Sequence, residues 1–149
     1  MIRKMKLSDV NVVIDMGRAM HGESYFKFLD FSEAKLLALW DSINLFPNRM
    51  CGFVAEKDNK IIGIFVGAIN EHWFGHDKVS CDLALYVTPE ERGGSAAMRL
   101  VKAYERWAKE QGAREIHIGT ATNVNPDRIR KLFSRLGYGD EAFFFRKRT

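Results

Sequence analysis

The chain is poor in cysteine and proline, with two of one and three of the other. Two thiols are too few for the bridges that staple small secreted folds. Cys51 and Cys81 both lie in apolar, strand-like runs, where a small buried thiol is the ordinary expectation. Three scattered prolines make no stiff linker, and no segment is a repeat or of low complexity. No apolar run approaches the ~20 residues of a membrane span. The opening "MIRKMKLSDV" turns polar too soon for a signal peptide, so a cytoplasmic protein is expected. Metal-ligand spacing is also missing. His72 and His76 stand four apart in "EHWFGHD", which suits a metal only on a helix. Gly75 and the flanking strands make that segment a loop, no third ligand is near, and no metal is expected.

What is present fits one domain spanning residues 1–149. The net charge is +4, with Lys and Arg crowded into the second half, which points to an anionic ligand. The terminal "RKRT" is too short for a nucleic-acid patch and lacks interleaved aromatics, so neither nucleic acid nor a membrane is an expected partner.

The hydropathy pattern alternates between elements. Residues 2–6 read as a strand. Val10, Val13, Ile14 and Met20 follow helical spacing, with Ser8 or Asp9 as the cap. A second helix begins near Ser32, with Leu36, Leu37, Trp40 and Ile43 on one face. Between the two, "HGESYFKFLDF" has no period and reads as a surface loop. "MCGFVAEKDNKIIGIFVGAI" is a hairpin about Asp58-Asn59-Lys60. In "KVSCDLALYVTPE", Val79, Cys81, Leu83, Leu85 and Val87 alternate with Ser80, Asp82, Ala84 and Tyr86, which predicts a central strand with Asp82, Ala84 and Tyr86 on one face. The next helix carries Ala97, Leu100, Val101, Tyr104, Trp107 and Ala108 in one stripe and stops at Gly112. "REIHIGTA" is a strand. A last helix starts at Asn125-Pro126, carries Ile129, Leu132, Phe133 and Leu136, and ends at Gly137. "YGDEAFFFRKRT" reads as a closing strand. The whole is a mixed α/β layer with helices packed on a sheet.

The most informative stretch is "PEERGGSAAMRL". A strand that ends at Pro89 passes through small residues into a helix, whose first N–H groups have no intrahelical acceptor. Those donors and the positive end of the helix dipole form an anion site. Gly93, Gly94, Ser95, Ala96 and Ala97 let a phosphate approach the backbone, and Arg92 adds a fork of donors. A tight strand-to-helix turn that needs glycine for its dihedrals alone accounts for the same residues equally well.

"VTPEERGGSAAMRL" resembles the acyl-coenzyme A pyrophosphate loop of the GNAT superfamily of N-acetyltransferases, written Arg/Gln-x-x-Gly-x-Gly/Ala after a Val-x-Pro strand end. Arg92, Ser95 and Ala97 occupy the three defining positions, with serine in place of the central glycine. "NPDRIRKLFSRLGYGDEAFFFRK" is similar to the family's closing Asn-helix-Gly-aromatic segment. The resemblance implies a mostly antiparallel sheet of six to seven strands, about four flanking helices, and a splayed strand pair that forms a cofactor cleft. It implies acetyl transfer from acetyl-coenzyme A to a primary amine of a small molecule or protein, by direct attack in a ternary complex. The pantetheine arm would pair near Leu85, Tyr86 and Val87, with the pyrophosphate on the amides of Gly94 to Ala97. Asn125 and Arg128 would face the cofactor from the last helix, and Arg99, Lys102 or Arg130 would meet the remaining phosphates. A backbone N–H near Tyr86 would hold the thioester carbonyl.

Where many members carry a tyrosine acid, four residues before the glycine that ends the last helix, this chain has Phe133. The acids left are Tyr138, Tyr86, Ser134 or solvent. Asp82 is either the base that takes the ammonium proton or a buried hydrogen-bonding partner. In the family the acceptor is shaped by the segment after the first helix and by the hairpin near residue 73. Those parts here supply Glu23, Tyr25, Phe26 and Trp73, an aromatic and mildly acidic wall suited to a cationic amine, with Glu71 a weaker partner. The substitutions Phe133 and Ser95 also permit a domain that binds acyl-coenzyme A or a partner without turnover. An apolar last strand, "EAFFF", suits pairing across a homodimer.

Overall fold

A computed structural model describes residues 1–149. The chain runs β1 (Ile2–Lys4), α1 (Val10–Glu23), α2 (Glu33–Leu45), β2 (Met50–Lys57), β3 (Lys60–Glu71), β4 (Lys78–Val87), α3 (Ala96–Glu110), β5 (Ala113–His117) and α4 (Pro126–Arg135). Short 3-10 turns cover Leu7–Asp9, Tyr25–Phe28 and Pro89–Glu91. The strands form one sheet in the order β1-β2-β3-β4-β5, antiparallel except for β5, which runs parallel to β4. A parallel neighbour needs a crossover, and α3 supplies it. No helix is long and apolar enough to cross a membrane.

Local chemistry explains the element ends. Asp58 and Asn59 take φ values of 49° and 60°, the left-handed pair that a two-residue hairpin demands between β2 and β3. The Ser32 hydroxyl accepts from the Lys35 N–H and starts α2. Asp9 does not cap α1 through its side chain. Its carboxylate instead accepts from the Lys6 N–H at 2.7 Å and from the Arg3 guanidinium at 2.7 Å, while Arg3 Nε donates to Glu56. That buried pair ties β1, β2 and the start of α1 together.

Two cores sit on opposite faces of the sheet. Helix α3 covers one, with Leu100, Val101, Tyr104 and Ala108 fully buried against Phe53, Phe65 and Val87. Helix α1 covers the other, with Met16 against Val54, Ile64 and Tyr86. Cys51 is buried, and burial pushes its thiol up to about 12.

Two expectations change. The sheet has five strands rather than six or seven, and residues after Gly139 form none. "EAFFF" has high strand propensity but no ladder partner, and Phe143, Phe144 and Phe145 are exposed. The second change lies in β4. Val66 pairs with Ala84 but Gly67 pairs with Asp82, so Leu83 is an extra residue, a β-bulge. The bulge reverses the alternation. Asp82 shares the α3 face with Ser80 and Val87, opposite Ala84 and Tyr86 rather than beside them.

Candidate active site

The parallel pairing of β5 with β4 covers only Lys78 to Cys81. Beyond it the strands part, and the Gly119 N–H turns to the Asp82 carboxylate at 2.9 Å. The β4 backbone from Asp82 to Val87 is therefore left with an edge open on the β5 side. A cleft of about 780 Å³ opens there, walled by this edge, the loop at Arg92 to Gly94, α4, the Gly119–Asn125 segment and the end of α1.

One end of the cleft is rich in backbone donors and basic side chains. Gly93 has φ +99°, a conformation that suits glycine, and a β-carbon there would collide with the Arg128 guanidinium. The N–H groups of Gly93 and Ser95 have no backbone acceptor. Gly93, Gly94 and Ala97 line the cleft, so the loop and the start of α3 bring unpaired donors and a positive dipole end to its border. From α4, Arg128, Lys131 and Arg135 line the same wall, at the i, i+3, i+7 spacing of one helical stripe. Backbone donors of the loop and the cations of α4 converge at this end, and the missing side chain at Gly93 lets the Arg128 guanidinium lie against the loop.

Arg92 plays a different part in the free chain. Its Nε donates to the Val87 carbonyl at 2.8 Å, and its two terminal nitrogens bind the Glu23 carboxylate. The guanidinium lies 5.4 Å above the Tyr86 ring. Glu23 at the end of α1 is thereby locked to the loop. Burial raises the Tyr86 phenol, Glu23 raises it further, and Arg92 opposes both.

The middle of the cleft holds Asp82, whose carboxyl is pushed above the ordinary carboxylate range by burial, with the Gly119 N–H pulling the other way. Phe133 lines the cleft and brings no hydroxyl to it. Its ring packs edge-on against Tyr138 at 5.6 Å.

Of the residues singled out from sequence, Asp82, Leu85, Tyr86, Val87, Arg92, Gly93, Gly94, Ala97, Asn125, Arg128, Glu23 and Phe26 line the cleft. Others do not. The Tyr138 hydroxyl is buried on the α3 side, where burial and the Glu105 carboxylate hold the phenol protonated. Ser134 is exposed outside the cleft, Ser95 sits at the N-cap of α3, and Ala96 is buried beneath it. Tyr25 stands beside the entrance, held by its N–H on the Thr122 carbonyl at 2.8 Å. Trp73 is remote, at the β3–β4 turn, with its ring tilted 32° against that of Phe74. Arg130 pairs with Asp140 on the outside of α4. Lys131 and Arg135 escaped notice although their spacing from Arg128 marks them. The Gly119–Thr122 wall has no sequence signal, since it follows from where β5 stops.

The cleft thus lies between a strand pair that parts and the loop that opens α3. The family model of the Acetyltransferase (GNAT) family matches residues 17–138, and the chain belongs to that family. Among solved structures, the aminoglycoside acetyltransferase AAC(6')-Iy, solved with a bisubstrate analog of coenzyme A, is 21% identical with a TM-score of 0.77, over 100% of this chain and 98% of that one. A transcriptional regulator from Bacillus halodurans is 17% identical with a TM-score of 0.80, over 100% and 99%. Glucosamine-6-phosphate N-acetyltransferase from Arabidopsis thaliana is 14% identical with a TM-score of 0.77, over 99% and 97%. At these identities the likeness is one of fold. No curated protein matches the chain.

Proposed function

We propose that the chain is a single-domain N-acetyltransferase that transfers the acetyl group of acetyl-coenzyme A to a primary amine, by direct attack in a ternary complex. The observation that supports this reading is the basic end of the cleft, where the Arg128 guanidinium lies against Gly93 beside the free amides at the start of α3. Bound acetyl-coenzyme A would supply the activated acyl group. The chain's part is to hold it along the β4 edge and to manage two protons. Asp82 receives the ammonium proton, for which its burial suits it, because a carboxylate of raised pKa is a stronger base. Tyr86 is the phenol that lines the cleft and serves as the acid, with solvent as its substitute. An enzyme fed by an intracellular acyl donor acts in the cytoplasm. Isothermal calorimetry with coenzyme A tests the site, and thiol release with a panel of polyamines, aminoglycosides and peptides tests turnover. No heat with coenzyme A removes the assignment.

One observation favours a second reading, a domain that binds acyl-coenzyme A without turnover. Phe133 replaces the hydroxyl and Tyr138 turns its own toward α3. Coenzyme A binding with silence across the whole amine panel selects this reading. A homodimer is also proposed, because three consecutive phenylalanines are exposed and the outer edge of β5 carries no strand. Light scattering that gives the monomer mass at all concentrations removes it.

A further inference from the structure

The last residues of the chain lie against the entrance of the cleft. The Arg146 guanidinium carbon stands 3.8 Å from the centre of the Tyr25 ring, and Arg146 donates to the Ala121 carbonyl at 2.9 Å. Arg148 stands 3.9 Å over the Phe28 ring, and its Nε donates to the Tyr25 hydroxyl at 3.3 Å. The Tyr25 and Phe28 rings meet nearly at right angles with centroids 5.6 Å apart, so they offer two faces to two cations. The turn that carries them is held in place. The Ser24 hydroxyl accepts from the Phe26 N–H, and the Tyr25 N–H reaches across to Thr122. Glu23, two residues before Tyr25, is already paired with Arg92. The two arginines are therefore held by ring faces, and a planar guanidinium stacks on such faces better than a compact ammonium does.

We propose that the Tyr25–Phe28 turn is an arginine-binding acceptor subsite, and that the acceptor is a basic peptide in which a lysine stands between two arginines. The chain's own Arg146-Lys147-Arg148 shows the pattern and fills the subsite until such a peptide displaces it. In an extended segment, residues i and i+2 project to the same side. The cage thus holds both arginines and leaves the amine between them unclaimed. The proposal rests on the N-acetyltransferase reading for its chemistry. Asp82 takes the proton of the lysine ammonium, the neutral amine attacks the acetyl carbonyl, the C–N bond forms as the C–S bond breaks, and the proton that leaves the new amide nitrogen goes to the departing thiolate through Tyr86 or water.

The test uses the full chain, a full-length R146A/R148A variant, and the same variant carrying Y25L and F28L. The probe is the fluorescein-labelled peptide Phe-Arg-Lys-Arg-Thr, followed by anisotropy without cofactor. Coenzyme A binding confirms that each variant is folded. The R146A/R148A chain should bind the probe roughly tenfold tighter than the unsubstituted chain, the change expected when two exposed cation–π contacts no longer compete. The added leucines should abolish that gain. Equal affinity for all three chains overturns the proposal. With acetyl-coenzyme A present, mass spectrometry should find one acetyl group on the peptide lysine. Turnover of simple amines with a bound but unmodified peptide overturns the peptide assignment and spares the transferase reading. Cage-dependent peptide binding with no turnover of any amine supports the subsite and counts against the transferase reading.

Discussion

The Arg128 guanidinium occupies the space in which a residue other than glycine at position 93 would place its β-carbon. Helix α4 and the loop before α3 therefore meet through one arginine and one missing side chain. Gly93→Ala has two costs. An L-residue at φ +99° is strained by about 1–2 kcal/mol, and Arg128 must move away from the basic end. We expect a small loss of thermal stability and a weakening of coenzyme A binding of at least roughly tenfold, as for one lost charge-assisted hydrogen bond. Calorimetry alongside a thermal melt checks both. Unchanged affinity would mean that this corner of the cleft does not hold phosphate.

Arg128→Ala isolates the charge from the backbone. Arg128 takes part in none of the ion pairs of the free chain, so its loss is expected to leave the fold standing. A ligand phosphate that loses a charge-assisted pair binds about 1.5–3 kcal/mol more weakly, roughly a ten- to hundredfold change. The remaining affinity should also depend less on salt, because one cation fewer faces the ligand. Titrations at two ionic strengths read this directly, and an unaltered salt slope would argue against Arg128 as a phosphate partner.

The parts that could be read from sequence are those in which chemistry is local. The hairpin at Asp58-Asn59 and the stripe of α3 each rest on a few adjacent residues and stand in the structure as read, and the small-residue loop leads into α3 at the expected place. What could not be read depends on pairing. Nothing in "SCDLALYV" marks Leu83 as the residue that finds no partner, yet that single insertion carries Asp82 to the face opposite Tyr86. The same holds at the end of the chain, where "EAFFF" has the composition of a strand but no edge to join. The site was legible as a loop and a strand end, while its opposite wall at Gly119 to Thr122 was fixed only by the early end of β5.

Asp9 should govern acid stability. The Arg3 guanidinium beside it holds its carboxyl below the ordinary carboxylate value, burial opposes this, and the Lys6 N–H assists. A depressed folded-state pKa means that the unfolded chain binds the proton first as pH falls. The pair therefore stabilises fully above the unfolded carboxylate value, and its contribution disappears as pH drops through the folded one. Asp9→Asn should cost about 2 kcal/mol at neutral pH and flatten the stability curve between about pH 5 and pH 2. Urea melts across that range test this, and a variant that loses stability in parallel with the parent at every pH would refute it.

Asp82 gives the opposite sign. Burial raises its folded-state pKa, so the folded chain binds the proton more tightly than the unfolded chain. Stability then falls as pH rises through the interval between the two values, and the ionised carboxylate is a burden at neutral pH. Asp82→Asn keeps an oxygen for the Gly119 N–H but removes the charge. We expect the variant to melt at an equal or higher temperature than the parent at pH 7. If Asp82 takes the amine proton, the same change should lower kcat by roughly 10²–10⁴-fold and abolish the acidic limb of the kcat profile, which in the parent falls as pH drops through the raised Asp82 pKa. A variant that is stabilised and fully active would reduce Asp82 to a hydrogen-bonding partner for the end of β5. One that is stabilised and slow, with coenzyme A affinity and acceptor KM preserved and the acidic limb gone, supports a proton transferred at this carboxylate.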